Sequence, residues 1–277
     1  MKVRCCGVRG STAAPGPEFT RVGGHTSCLA VTPAGAERPS LVLDAGTGIR
    51  TVSALWGDDA FRGTILLTHL HWDHTQGLPF FAAGDRDDAG VRLLMPSGQD
   101  ADPRTTLEQV MSPPHFPIGP DGLRGDWTIE SLDVGDHELE SVSVRAAAVT
   151  HKGGRTFGYR LADAVGSLAY LPDHVASAQP RRAAAIALVA DVDVLVHDAQ
   201  FGRCESEVAH AYGHSTVDDA IDLALDAGVG ELVLFHHAPG RTDDELDDLL
   251  EVARTRTTRT ALTVSLGVEG RELTPGS

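Results

Sequence analysis

Short apolar runs, each closing on an imidazole or a carboxylate, dominate the pattern of the chain. Residues 63–68 are continuously apolar, short and β-branched, which predicts a buried strand, and His69 follows at once. The same reading predicts strands over 27–32, 40–43, 91–95, 141–149, 192–196, 231–235 and 261–266, and a hairpin from 157–161 and 167–171. His151, Asp173, His197 and His236 each stand just past one of these runs. A sheet fixes its strand ends, so side chains placed there are rigid yet face a cleft. Between the strands, 49–56, 103–111, 179–189, 216–227 and 242–253 carry helical patterns, and Gly228 stops one of them. Three prolines make 113–117 a loop.

Strands mixed with helices place the chain in the α/β or α+β class. No repeat or low-complexity linker divides residues 1–277, so a single domain is expected, built from two similar halves. A hydrophobic fraction of 42% and a charged fraction of 22% suit a globular protein. The balance of 23 basic against 39 acidic residues gives a net charge of −16. An acidic surface repels phosphate backbones, so a nucleic-acid polymer is disfavoured as partner. A small phosphorylated substrate is not, because a metal centre reverses the local field. Cys5, Cys6, Cys28 and Cys204 form no C-x-x-C pair, which favours a reducing, cytoplasmic setting. No signal peptide or bilayer-length apolar stretch is present, so no membrane partner is expected. A homodimer is compatible with all of this.

The densest chemistry is Thr68-His69-Leu70-His71-Trp72-Asp73-His74, three imidazoles and a carboxylate within six positions. That donor mixture suits zinc, manganese or iron. His69 and His71 can face one ion while Asp73 and His74 turn to a second beside it. The alternative, that these are surface or capping histidines, requires a chance H-x-H-x-D-H.

This segment resembles the signature of the metallo-β-lactamase superfamily. The longer run His71-Trp72-Asp73-His74-Thr75-Gln76-Gly77-Leu78-Pro79-Phe80-Phe81 is similar to one branch, as are Gly7-Val8-Arg9-Gly10-Ser11, Gly23-Gly24-His25-Thr26-Ser27-Cys28 and Leu43-Asp44-Ala45-Gly46-Thr47-Gly48. That branch holds the phosphoribosyl cyclic-phosphate phosphodiesterases, related to the tRNA 3′-processing endonucleases. The resemblance implies an αββα sandwich of two mixed sheets flanked by helices, with the site along their edge. It implies two divalent ions, zinc or manganese, and three further ligands: His151 on the first ion, Asp173 bridging, and His236 on the second, with His237 the competing choice. Gly213-His214-Ser215-Thr216 and His197-Asp198-Ala199 resemble two further motifs of the branch, in which the acidic residue orients the histidine. His214 and Asp198 therefore join Asp73 as catalytic candidates. The plain alternative is a helix cap at Ser215 or Thr216 with a structural histidine. Asp44 is expected to support a ligand histidine from behind, and Gly46 and Gly48 to permit close backbone approach. Phe80, Phe81 and the 113–117 loop are candidates for a pocket wall, with core packing an equal reading for the two aromatics.

Two ions lower the pKa of a bridging water and clamp phosphoryl oxygens. The expectation is thus a hydrolase of a small, cyclic phosphodiester, with His214 protonating the leaving oxygen. The tRNA-processing relatives carry an arm between the third histidine and the bridging aspartate. Here 22 positions separate His151 from Asp173, room for a hairpin. Lactone, ester or thiolester hydrolysis on the same ions is the second reading, and a metal-binding regulator without turnover the third.

Overall fold

The computed structural model describes residues 1–98, 102–176 and 182–277. The first half of the chain supplies β1 (Lys2–Gly7), β2 (Cys28–Thr32), β3 (Leu41–Leu43), β4 (Arg62–Leu66), β5 (Gly90–Pro96) and β6 (Asp126–Leu132). The second supplies β7 (Gly135–Leu139), β8 (Val142–Val149), β9 (Thr156–Ala162), β10 (Ser167–Leu171), β11 (Val194–Asp198), β12 (Glu231–Phe235) and β13 (Thr263–Leu266), and β14 (Glu272–Leu273) returns to the first sheet. The strand orders are β14-β1-β2-β3-β4-β5-β6 and β13-β12-β11-β10-β9-β8-β7, both mixed. The helical pieces are α1 (Ile49–Val52), α2 (Trp72–Thr75), α3 (Pro103–Glu108), α4 (Arg182–Val189), α5 (Ser206–Tyr212), α6 (Val217–Asp226) and α7 (Asp243–Thr257).

Period-two alternation explains why two sheets stack. Val3, Cys5, Leu29, Val31, Leu41, Leu43 and Leu66 enter a core shared with the second sheet, whereas Cys6, Cys28, Ala30, Val42 and Ile65 join a core on the other face with Ile49, Phe61 and Phe81. α1 and α3 pack on the first sheet and α4, α6 and α7 on the second, which makes the expected four-layer sandwich.

Strand direction then fixes where the site lies. β9 runs antiparallel to both β8 and β10, and β10, β11 and β12 run parallel. The chain therefore leaves β8, β10, β11 and β12 at the same edge of the second sheet. The first sheet joins there, where Phe157 N–H donates to the Thr68 carbonyl at 2.9 Å and the Tyr159 hydroxyl to the Leu67 carbonyl at 2.6 Å.

Several boundaries differ from the sequence pattern. The helix expected over 49–56 is α1 followed by a 3₁₀ turn at Ser53–Leu55. The one expected over 103–111 ends at Glu108. The first residues of the expected 179–189 helix, 179–181, lie outside the described residues, and α4 is described from Arg182. β1, β6, β7, β14, α2 and α5 carried no expectation. The four cysteines are unpaired, and among the described residues no helix is long and apolar enough to cross a membrane.

Candidate metal centre

The seven residues proposed from sequence as ligands meet at this edge. His69, His71, His151 and Asp173 offer donor atoms that all lie within 4.8 Å of one another, and Asp73, His74 and His236 form a second such group. Asp173 joins them. Its Oδ1 lies 4.0 Å from His69 Nε2 and 3.4 Å from His151 Nε2, while its Oδ2 lies 2.9 Å from His74 Nε2 and 3.2 Å from His236 Nε2. Asp73 Oδ2 is 3.3 Å from His74 Nε2 and 3.1 Å from His236 Nε2. His237, the alternative to His236, is buried elsewhere and its Nε2 donates to the Gly267 carbonyl at 2.9 Å.

Three of the imidazoles are oriented from behind, whereas His236 Nδ1 is buried without a hydrogen-bond partner. His74 Nδ1 donates to Asp44 Oδ2 at 2.8 Å, His151 Nδ1 to the Gly213 carbonyl at 2.6 Å, and His69 Nδ1 lies 3.0 Å from Thr68 Oγ1. A partner on one ring nitrogen fixes the tautomer and leaves the other as a lone pair for a cation. Asp44, fully buried, also accepts from Thr68 N–H at 2.7 Å and the Tyr170 hydroxyl at 2.9 Å. Ser11 N–H donates to Asp73 Oδ2 at 2.6 Å. Tyr170, Thr68, Gly213 and Ser11 were not singled out for these roles from sequence.

The backbone is strained where it delivers these groups. Ser11, Asp44 and His236 have φ of 62°, 58° and 57°, a region non-glycine residues seldom adopt. A Cβ on Gly10 would fall 2.3 Å from the His236 ring, and one on Gly46 2.2 Å from the Asp73 carbonyl oxygen, so both glycines permit the close approach.

These residues fit a pair of metal ions. His69 Nε2, His74 Nε2 and Asp173 Oδ2 are buried without a hydrogen-bond partner, although such atoms normally find one. The 2.9 Å between His74 Nε2 and Asp173 Oδ2 lacks hydrogen-bond geometry; the two atoms converge on common space. Asp44, Asp73 and Asp173 are buried, and among the described residues no Lys or Arg pairs with them. Burial opposes charge on His74, but Asp73, Asp173 and Asp44 outweigh it and raise its pKa well above the usual value. Such carboxylate density in a dry pocket calls for cations, and the donor set suits zinc or manganese.

His214 flanks the cluster. Its Nδ1 donates to Asp198 Oδ2 at 2.8 Å and lies 3.7 Å from Asp173 Oδ1. Asp198 is fixed by the N–H groups of His174 at 3.1 Å and Gln200 at 3.2 Å. Burial pushes the His214 imidazolium down, but the Asp198 carboxylate more than offsets this and brings its pKa to about 9. Thr216 is the cap of α6, accepting from Asp219 N–H at 3.1 Å, which leaves His214 free of that duty. His214 also shares a donor group with Asp173 and His236. A cleft of about 370 Å³ opens over Ser11, Trp72, Asp73, Asp173, His214 and His236. Beside it, a cavity of about 550 Å³ is lined by Trp72, Phe80, Val110, Met111 and Phe116. Phe80 thus faces a pocket, whereas Phe81 is core, 5.0 Å from Phe61.

Comparison with known proteins bears on the family and the fold. Residues 41–237 match the Beta-lactamase superfamily domain. Ribonuclease Z of Lacticaseibacillus casei is 31% identical over 212 residues, 62% of this chain and 66% of the relative, just under two thirds of its length. The metallo-β-lactamase fold protein YhfI from Bacillus subtilis superposes with a TM-score of 0.73 at 16% identity, covering 98% of each chain. Zinc-bound PqqB from Methylobacterium extorquens gives 0.70 at 19% identity, covering 99% of each. The ribonuclease relative corrects one expectation: a net charge of −16 does not disfavour a nucleic-acid partner. Net charge averages the whole surface, and cations held at such a site would set the local field instead.

Proposed function

Since the chain belongs to the β-lactamase superfamily, we propose that it is a metal-dependent phosphodiesterase. The observation that carries this is Asp173, which directs one carboxylate oxygen to each of two histidine-rich groups, with the His214–Asp198 pair alongside. His69, His71, His151 and Asp173 would hold one ion, and Asp73, His74, His236 and Asp173 the other. Zinc is the first candidate and manganese the second. Bound there, such ions supply Lewis-acid charge to phosphoryl oxygens and acidify water.

The remaining work falls to the chain. Asp198 holds Nδ1–H of His214, so Nε2 is left for the cleft. As a hydroxide oxygen bonds to phosphorus and the P–O bond to the leaving group breaks, Nε2–H of the imidazolium donates its proton to the departing oxygen and the imidazole is left neutral. Ser11 N–H holds Asp73 in place. The first substrate class is a small phosphodiester, such as a ribosyl cyclic phosphate or a cyclic nucleotide. The second is an RNA phosphodiester, favoured by the ribonuclease relative. The unpaired cysteines support a reducing cytosol as its setting.

The test is a panel with zinc- or manganese-loaded protein: bis(4-nitrophenyl) phosphate, cyclic nucleotides and a short RNA against lactones and thiolesters. Turnover of phosphodiesters above the acyl substrates is expected. Hydrolysis of lactones or thiolesters alone would overturn the assignment.

A further inference from the structure

We infer that the apolar cavity beside the metal centre seats a nucleobase, so that the phosphodiester belongs to a nucleotide. This rests on the phosphodiesterase reading above. Trp72 lies between His71 and Asp73 and lines both the metal cleft and the cavity, so the two spaces adjoin at its side chain. Trp72 is 73% exposed and Phe80 56%. Large apolar rings bared together beside a cleft mark a binding surface rather than core. Phe116 meets Phe80 edge-on with centroids 5.8 Å apart, and both rings line the cavity that Trp72 also lines.

The cavity volume of about 550 Å³ suits a small molecule. Its wall is not purely apolar. Gln76 and Gln109 line it, and the Gln76 side-chain nitrogen donates to Thr26 Oγ1 at 3.3 Å. That bond orients the carboxamide and leaves its oxygen to accept from an exocyclic amine or ring N–H. Flat faces for stacking with an amide at the rim match a base, which is apolar on its faces and polar at its edge. A lipid chain or aliphatic ester would leave the amides unused. A phosphate at the metal cleft places the attached nucleoside against Trp72.

The experiment is calorimetric titration of zinc-loaded protein with adenosine 5′-monophosphate and with ribose 5-phosphate, which share the phosphate and differ in the base. The nucleotide is expected to bind at least about 10-fold more tightly and to quench tryptophan fluorescence. Trp72→Ala and Phe80→Ala should each cut that advantage about 10-fold, while Trp72→Phe keeps most of it. Because Trp72 adjoins two candidate ligands, zinc content is measured for each variant, and Phe80→Ala decides if Trp72→Ala loses metal. Equal affinity for the two compounds, or a preference surviving Phe80→Ala and a metal-replete Trp72→Ala, overturns the base site. A base preference without phosphodiester turnover would remove the enzymatic reading and leave the base site standing.

Discussion

Replacing Asp44 by Asn probes how the second ion site is built, without touching a candidate ligand. The Asp44 carboxylate is fully buried, with Oδ1 accepting from Thr68 N–H at 2.7 Å and Oδ2 from His74 Nδ1–H at 2.8 Å and the Tyr170 hydroxyl at 2.9 Å. If the Asn oxygen keeps the Thr68 bond, its NH₂ faces His74 Nδ1–H, donor against donor. The imidazole then moves its proton to Nε2, the nitrogen 2.9 Å from Asp173 Oδ2, and loses the lone pair a cation needs. Loss of such a supporting partner weakens metal binding by about 10–100-fold, or about 1.4–2.8 kcal/mol. The group of His69, His71 and His151 reaches Asp44 only through the Thr68 hydroxyl, 3.0 Å from Asp44 Oδ1 and from His69 Nδ1; the Asn oxygen still accepts that bond, so this group should keep its affinity within about 3-fold. Competition with a fluorescent zinc chelator resolves the two sites, and circular dichroism checks the fold. Equal weakening of both sites, or of neither, would refute the claim that Asp44 acts through the tautomer of His74.

Other expectations follow from the same contacts. His214→Ala should lower kcat on bis(4-nitrophenyl) phosphate by about 10²–10⁴-fold while both ions remain by metal analysis; loss of an ion would make His214 a ligand. Arg9→Met should lower the denaturation free energy by about 3–5 kcal/mol. The fully buried guanidinium donates to Asp243 Oδ1 at 3.3 Å and to the Gly23 and Arg241 carbonyls at 2.7 Å each, and an unchanged urea midpoint would contradict its structural weight. Burial pushes the Cys5 thiol up to about 12 and the Cys28 thiol upward; a hydrogen bond with Cys28 lowers the pKa of Cys6, but that thiol is buried out of a reagent's reach, whereas Cys204 is exposed. A thiolate is the reactive form, so native protein at pH 8 should release one equivalent of chromophore from a thiol reagent, with three more on unfolding; two fast thiols would contradict this.

The sequence was most legible where local pattern and tertiary role coincide. The His69–His74 segment concentrates its donors in six positions, and His151, Asp173 and His236 follow apolar strands that the sheet holds parallel. Asp44 was legible for the same reason, since it follows β3 directly. The strands that escaped notice are mostly edges: β6, β7 and β14 each close a sheet. Edge strands carry polar side chains that prevent further pairing, so Gly-Asp-His-Glu-Leu in β7 shows no buried face to read. α5 is mostly polar, and its role lies in Gly213, whose left-handed cap turns a carbonyl toward His151. Tyr170 reads as one more core residue of β10, and Ser11 acts through its backbone N–H, which no side-chain pattern announces. Phe80 and Phe81 are adjacent and alike, and only packing sends one to a cavity and the other to the core.

The central claim is a pair of ions bridged by one aspartate, and anomalous diffraction at the zinc edge tests it most directly. The account predicts two peaks per chain on either side of Asp173, one among His69, His71 and His151 and the other among Asp73, His74 and His236, with Asp73→Ala removing only the latter. A single peak, or peaks away from Asp173, would contradict it.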